Sequence, residues 1–295
     1  MLIAVGLVAV VFAVGVATVV LSQPGRDRQA PPGAPPGVGA SSADVALASA
    51  AAARQRAAAW VAGQANPDAI VACDPAMCAA LQAAGVPAGR LLVLTPARSD
   101  PLGSDLVVAT ATVRSQFGAR LAGVYAPVTV AVFGSGTARI DVRAVAPDGA
   151  AAYLAALATD LRARKAAGAL MLRNRHIHVA ATARAALAAG EVDPRLLVTL
   201  ATLAHLHPLD ITGFGGPGPG VSASAGVPLR TADITGAAPR GSHPASLQAL
   251  VTILRAQRPP YLPSSLEIVR IPRGGAVLRI RYPAPSPLGL LGSGG

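Results

Sequence analysis

Residues 69–94 read AIVACDPAMCAALQAAGVPAGRLLVL. A short buried-strand pattern at residues 69–72 is followed by a helical stretch at residues 75–84, which ends at Gly85. A second buried-strand pattern occupies residues 91–94. Strands separated by a helix of about ten residues are typical of a parallel or mixed sheet with helices on its faces. This stretch therefore predicts an α/β fold.

The same alternation extends through the first half of the chain. An alanine-rich segment at residues 42–62, with Ser42 or Asp44 as its N-cap, predicts a helix ahead of the first strand. A further helix is predicted at residues 112–125. Further strands are predicted at residues 105–109, 128–133 and 139–145.

The pattern changes after the Pro-Asp-Gly turn at residues 147–149. Helices are predicted at residues 150–167, 182–189, 194–205 and 244–257. Strands are predicted at residues 177–180 and 209–214, with a closing hairpin at residues 266–271 and 276–282.

These patterns divide the chain into five parts. We expect a membrane anchor at residues 1–22 and a Pro/Gly-rich linker at residues 23–41, where polyproline II structure is favoured. Two small α/β domains with mixed sheets are expected at residues 42–147 and 148–282. Residues 283–295 are expected to form a disordered tail.

The N-terminal segment is apolar. Residues 2–21 contain no charged side chain, and a helix of this length would be about 30 Å long, which matches the hydrocarbon core of a bilayer. We therefore expect a single membrane span. The alternative is a cleaved signal peptide, because Val20 and Ser22 are small residues that would suit a cut at Gln23.

The charges that follow this span bear on its orientation in the membrane. Arg26 and Arg28 come directly after the span, and the positive-inside rule alone would place the body in the cytoplasm. Asp27 separates these two arginines, and the cysteine pair further along is typical of exported proteins. We therefore expect the body on the extracytoplasmic face of the cell membrane.

The chain is strongly basic, with a formal net charge of +11 and an isoelectric point of about 11.2. Its arginines are scattered singly or in small groups, and aromatic residues that could stack on bases make up only 3% of the chain. This pattern argues against a nucleic-acid partner. We expect the charge to favour anionic lipid headgroups, an anionic wall polymer or an envelope protein.

Cys73 and Cys78 are the only cysteines. Two cysteines cannot supply the four ligands of a structural zinc site, and their spacing differs from the Cys-x-x-Cys of redox pairs. We predict a disulfide, with free core thiols as the alternative. Asp74 follows a strand at the edge where open α/β sheets bind ligands, but capping of the next helix is the favoured role.

The five histidines do not form a recognised catalytic or metal-binding motif. None belongs to a His-Glu-x-x-His arrangement. Gly134-Ser135-Gly136 precedes a strand pattern, so a hairpin turn is favoured over a phosphate-binding loop. We predict neither a metal site nor a cofactor.

Three stretches of the second half resemble one family. Residues 190–197 read GEVDPRLL, residues 209–211 read LDI and residues 228–234 read PLRTADI. They resemble an actinobacterial envelope domain that is distantly similar to D-alanyl-D-alanine carboxypeptidase-like peptidoglycan peptidases. The resemblance implies that Asp233 stands where those peptidases have a metal-ligand aspartate. The preceding loop has no histidine and the second metal histidine has no match, which implies a scaffold that has lost its metal.

The whole chain is also similar to membrane-anchored actinobacterial envelope proteins that end in APSPLGLLG, as residues 284–292 do. Our first hypothesis is a non-catalytic, membrane-anchored envelope protein that binds wall polymer or a protein partner. The alternative is a metal-dependent peptidoglycan hydrolase in which Asp233 acts with His243 or His205. A third hypothesis is a domain that serves a glycan-assembly complex.

Overall fold

The computed structural model describes residues 41–97, 100–236, 244–271 and 275–292. The predicted anchor at residues 1–22, and all of the predicted linker except its last residue, lie outside these ranges. Within them, no helix combines the length and the apolar character that a membrane crossing requires. The described residues belong to one compact unit.

The first five strands form a mixed sheet, sheet 1, in the order β2-β1-β3-β5-β4. Strand β1 runs parallel to β2 and β3, while β5 pairs antiparallel with β3 and β4. The strands are β1 Val71–Cys73, β2 Leu91–Val93, β3 Leu106–Ala109, β4 Val128–Phe133 and β5 Ile140–Ala144. The helices in this half are α1 Ser42–Gln64, α2 Pro75–Ala83 and α3 Ala111–Phe117, with a π-helical turn at Leu121–Tyr125.

The second five strands form sheet 2, in the order β6-β7-β8-β10-β9. Strands β6 and β7 are parallel, and the other pairs are antiparallel. The strands are β6 Ile177–Val179, β7 Leu209–Gly215, β8 Thr231–Gly236, β9 Ser265–Ile271 and β10 Gly275–Arg281. The helices are α4 Ala150–Arg173, α5 Ala181–Ala189, α6 Pro194–Leu206 and α7 Pro244–Arg255. The predicted α/β class with two mixed sheets is confirmed.

Helix boundaries differ from the sequence prediction at three places. Ser41, rather than Ser42 or Asp44, caps α1, because its hydroxyl accepts the Asp44 N–H and the Asp44 carboxylate accepts the Ser41 N–H in return. The helix predicted at residues 112–125 ends at Phe117, since Gly118 has a φ of +53°. Helix α4 continues past Gly168, where the missing side chain lets α4 approach α5: a Cβ there would lie 2.3 Å from the Leu187 carbonyl oxygen.

The two sheets are covered differently. Sheet 1 has a hydrophobic core on each face, one shared with α1 and α2 and the other with α3 and the π-helical turn. Sheet 2 has one core, on the face where α5, α6 and α7 pack. The opposite face of sheet 2, called here the open face, carries Thr231, Asp233, Arg279 and Arg281, together with the buried Val277.

Two segments from the second half of the chain contact the first half: the loop after β7, and residues 283–292. The loop after β7 runs along β4, the edge strand of sheet 1, where the Val132 N–H donates to the Pro219 carbonyl at 2.7 Å. Residues 283–292, expected to be disordered, are folded against the body. The Ala284 N–H donates to Gln64 at 2.7 Å, and the Gly289 N–H donates to the Asp160 carboxylate at 3.2 Å. These partners are distant in sequence, so local composition could not reveal them.

The close contact of this loop with β4 predicts an effect of Gly218→Ala. A Cβ at Gly218 would lie 1.9 Å from the Val130 carbonyl oxygen, so the backbone would have to shift. We expect a loss of about 2 kcal/mol in the free energy of unfolding, measured by urea denaturation. Gly63→Ala is the matched control, because a Cβ at Gly63 meets nothing within 4 Å. Equal midpoints for both variants would contradict the close contact.

Candidate functional site

Cys73 and Cys78 form a disulfide, so this prediction is confirmed. The bond joins the end of β1 to the first turn of α2, and both residues are buried. Asp74 between them caps α2 by accepting the Met77 N–H at 3.0 Å, and it also accepts a hydrogen bond from the Thr110 hydroxyl. The predicted capping role is thus confirmed. The Asp74 carboxylate therefore contacts the N-termini of two helices: it caps α2 directly, and it accepts a hydrogen bond from Thr110, which caps α3.

The open face of sheet 2 takes its chemistry from two neighbouring strands. On β8, Ala232 and Ile234 point into the core, so Asp233 projects from the open face. On β10, Leu278 and Ile280 point into the core, and Arg279 and Arg281 project from the open face. The strand register places Arg279 opposite Asp233 and Arg281 opposite Thr231. The two arginines therefore stand beside the residues of β8.

A cavity of about 460 Å³ opens on this face. Strand β7 supplies little more than backbone there, because Gly213 pairs with Asp233 and Gly215 pairs with Thr231. Side chains from α1 form another wall. The lining residues are Trp60, Gln64, the segment 213–217, Arg230, Thr231, Asp233, Arg279 and Arg281. The cavity thus combines three arginines with one carboxylate.

Asp233 and Arg279 form a two-point ion pair. Nε and Nη2 of Arg279 each donate to one carboxylate oxygen of Asp233, both at 2.8 Å. Hydrogen bonding to Asp233, with the attraction of the two charges, raises the pKa of Arg279 above its ordinary value. Both side chains are partly exposed, at 25% for Asp233 and 35% for Arg279. Both oxygens of the cavity's carboxylate are therefore engaged.

Arg230 lies deeper than the other two arginines and is 4% exposed. Its Nη1 donates to the Tyr282 carbonyl at 3.0 Å, and its guanidinium carbon lies 5.9 Å from the centroid of the Trp60 ring. Burial is the main cause that lowers the pKa of Arg230 to about 10. Arg230 therefore remains a cation at neutral pH.

Neither Arg230 nor Arg281 takes part in the ion pairs found among the described residues. Asp193 attracts Arg230 through space, but it forms its ion pair with Arg195. Two of the three cavity arginines thus carry charge that no directly bonded carboxylate neutralises within the described part of the chain.

Of the predicted catalytic residues that the structure describes, Asp233 and His205 lie apart. His205 is exposed in the last turn of α6, on the helix-covered side of sheet 2, whereas Asp233 projects from the open face. His243 lies outside the described residues. His178 faces Asp210, with 3.4 Å between Nδ1 and Oδ1, and both are exposed or partly exposed. Among the residues that the structure describes, no group of three possible ligands could hold a metal ion.

Sequence reasoning identified Asp233 but missed the arginines around it. The alternation Arg279-Ile280-Arg281 on a predicted strand was a usable signal, since charges at alternate positions indicate a solvated face. Trp60 had no such signal, because only the tertiary fold brings it to residues about 170 positions further along.

Comparisons of this chain with protein-family models, with curated proteins and with solved structures find no match. The resemblance to carboxypeptidase-like domains therefore stays a prediction.

The Asp233–Arg279 pair predicts a modest coupling energy. In a double-mutant cycle of Asp233→Asn and Arg279→Gln, we expect about 0.5 to 1 kcal/mol, because solvent screens this partly exposed pair. Urea denaturation of the wild type, both single variants and the double variant measures it. Asp233→Asn combined with Arg56→Gln should be additive, since Arg56 forms none of the observed ion pairs. A coupling of zero in the first cycle would contradict the pair.

Proposed function

We propose that this protein is a non-catalytic cell-envelope protein whose body binds an anionic wall polymer. The observation that carries this proposal is the excess of arginine in the cavity on the open face. Wall polymers of this kind present carboxylate or phosphate groups, and the planar donor fork of arginine matches both. The net charge of +11 adds a long-range attraction to such a polymer.

The exposure of the open face supports binding of an extended ligand. The helices α5, α6 and α7 pack on sheet 2 through its other face. Thr231, Asp233, Arg279 and Arg281 are all partly exposed, so a polymer could lie across β8 and β10 and insert a group into the cavity. A protein partner would use the same surface, and the experiment below separates the two.

The hydrolase alternative is weakened by the surroundings of Asp233. A metal ion at Asp233 would have to compete with the charge of Arg279, which donates one hydrogen bond to each carboxylate oxygen. His205 lies on the opposite side of the sheet. These contacts support a binding role for the open face.

We also propose that residues 1–22 hold the body on the extracytoplasmic face of the membrane. The Cys73–Cys78 disulfide supports this location, because such bonds persist in oxidising compartments and are rare in the cytosol.

The disulfide gives a direct test of location. Cells that express the full chain are lysed in an alkylating agent, and mass spectrometry then examines the peptides that contain Cys73 and Cys78. We expect the disulfide-linked form without alkylation. The same chain lacking residues 1–22 is the control and should be alkylated at both thiols, since it would stay in the reducing cytosol. Full alkylation of the complete chain would contradict the proposed location.

Retention on purified cell-wall sacculi tests the function. We expect the full-length protein to bind sacculi at low salt and to be released at 1 M salt, where the Debye length is about 3 Å. Arg281→Gln should reduce retention by several-fold, whereas Arg56→Gln, which removes the same charge from the exposed surface of α1, should reduce it little.

Sacculi stripped of their anionic polymers are the control that lacks the proposed ligand. Undiminished retention on them, or binding only to envelope proteins, would contradict the proposal. A stoichiometric zinc ion that is lost in Asp233→Ala would also contradict it and would favour the hydrolase.

A further inference from the structure

We propose, resting on the proposed function, that the cavity holds one acidic sugar-like unit of the polymer and that Arg230 and Arg281 bind its carboxylate or phosphate group. Asp233 keeps Arg279 engaged, so the two arginines without a directly bonded carboxylate are left for the ligand. Trp60 and Gln64 form the wall beside them.

Arg230 is almost fully buried beside the cavity. Taking a guanidinium out of water is unfavourable unless an opposite charge or hydrogen bonds compensate. Arg230 is 4% exposed, lines the cavity and donates to a neutral carbonyl of Tyr282 at 3.0 Å. The charges of Arg195 and Arg281 repel it, whereas Asp193 attracts it through space and the Trp60 ring lies 5.9 Å from its guanidinium carbon. An anion in the cavity would offset this repulsion.

The cavity is larger than a single anionic group. A volume of about 460 Å³ exceeds what one carboxylate or phosphate group fills, and it falls within the range of small-molecule sites. The remaining space suits the ring or polyol that carries the acidic group. Gln64 and Thr231 offer hydrogen-bonding groups to its hydroxyls, and Trp60 adds an apolar ring to the lining.

Strand β7 contributes two glycines, Gly213 and Gly215, to the cavity lining. A Cβ at Gly213 would meet nothing within 4 Å, although Gly213 lines the cavity and its φ does not require glycine. The local backbone would therefore accept a side chain, and the empty space at Gly213 belongs to the cavity. A side chain there would occupy the space that the ligand needs.

The single tryptophan of the chain makes the site directly observable, because Trp60 lines the cavity. The probes are glucuronate and inorganic phosphate, with glucose as the neutral match, added to the purified full-length protein at constant ionic strength. We expect a saturable change in Trp60 fluorescence with at least one anion and none with glucose. The relative affinity for glucuronate and phosphate then distinguishes a carboxylate-bearing unit from a phosphate-bearing one.

Three variants locate the binding. Arg281→Gln should weaken anion binding by about 10-fold or more, since it removes a charged donor. Gly213→Val should weaken binding by narrowing the cavity, while circular dichroism and the thermal midpoint show that the protein stays folded. Arg56→Gln should bind as the wild type does. No saturable response in the folded wild type, or equal affinity in Gly213→Val and the wild type, would overturn the site.

The outcomes for the site and for the function can be told apart. Retention on sacculi without binding of either probe would overturn the site and leave the proposed function standing. Probe binding that requires Arg281 and an unfilled cavity, without retention on sacculi, would support the anion site. It would contradict the proposal that a wall polymer is the ligand.

Discussion

The cavity depends on the two-residue period of β8 and β10. Each strand places alternate side chains in the core beneath α6 and α7, and this fixes which residues project from the open face. Asp233 and Arg279 face each other only because Ile234 and Leu278 are paired in the core. A register shift of one residue would bury the charges and expose the core residues. The hydrophobic contacts of sheet 2 therefore set the geometry of its polar face.

A buried ion pair beside sheet 2, Asp193–Arg195, contacts the segment at Tyr282 and Pro283. Asp193 accepts two hydrogen bonds from the Arg195 guanidinium, which also donates to the Pro283 carbonyl and lies 5.0 Å from the Tyr282 ring. Tyr282 in turn accepts the hydrogen bond of Arg230 through its carbonyl. Removing one member of such a buried pair leaves an uncompensated charge, so these contacts are strongly coupled. The position of Arg230 in the cavity thus follows from contacts outside it.

Features that depend on local sequence could be predicted, and features that depend on register could not. The alternation of strands and helices, the disulfide and the cap at Asp74 all arise from residues within ten positions of one another. The cavity requires the pairing of β8 with β10, the bulge between Ile211 and Gly213, and the end of α1. Asp233 was identified from a resemblance, but its partner Arg279 is 46 residues away. The hydrolase alternative paired Asp233 with His243 or His205, and the sheet separates His205 from Asp233.

The protonation behaviour of the cavity suits binding better than proton transfer. A general acid or base works best when its pKa lies near the operating pH. The most perturbed arginine in the cavity, Arg230, has its pKa lowered only to about 10, and Asp233 raises the pKa of Arg279 above its ordinary value. These groups therefore present fixed positive charge at neutral pH. Fixed charge on a strand and beside a helix would orient an anion without exchanging protons with it, and the proposed binding of an acidic polymer requires this property.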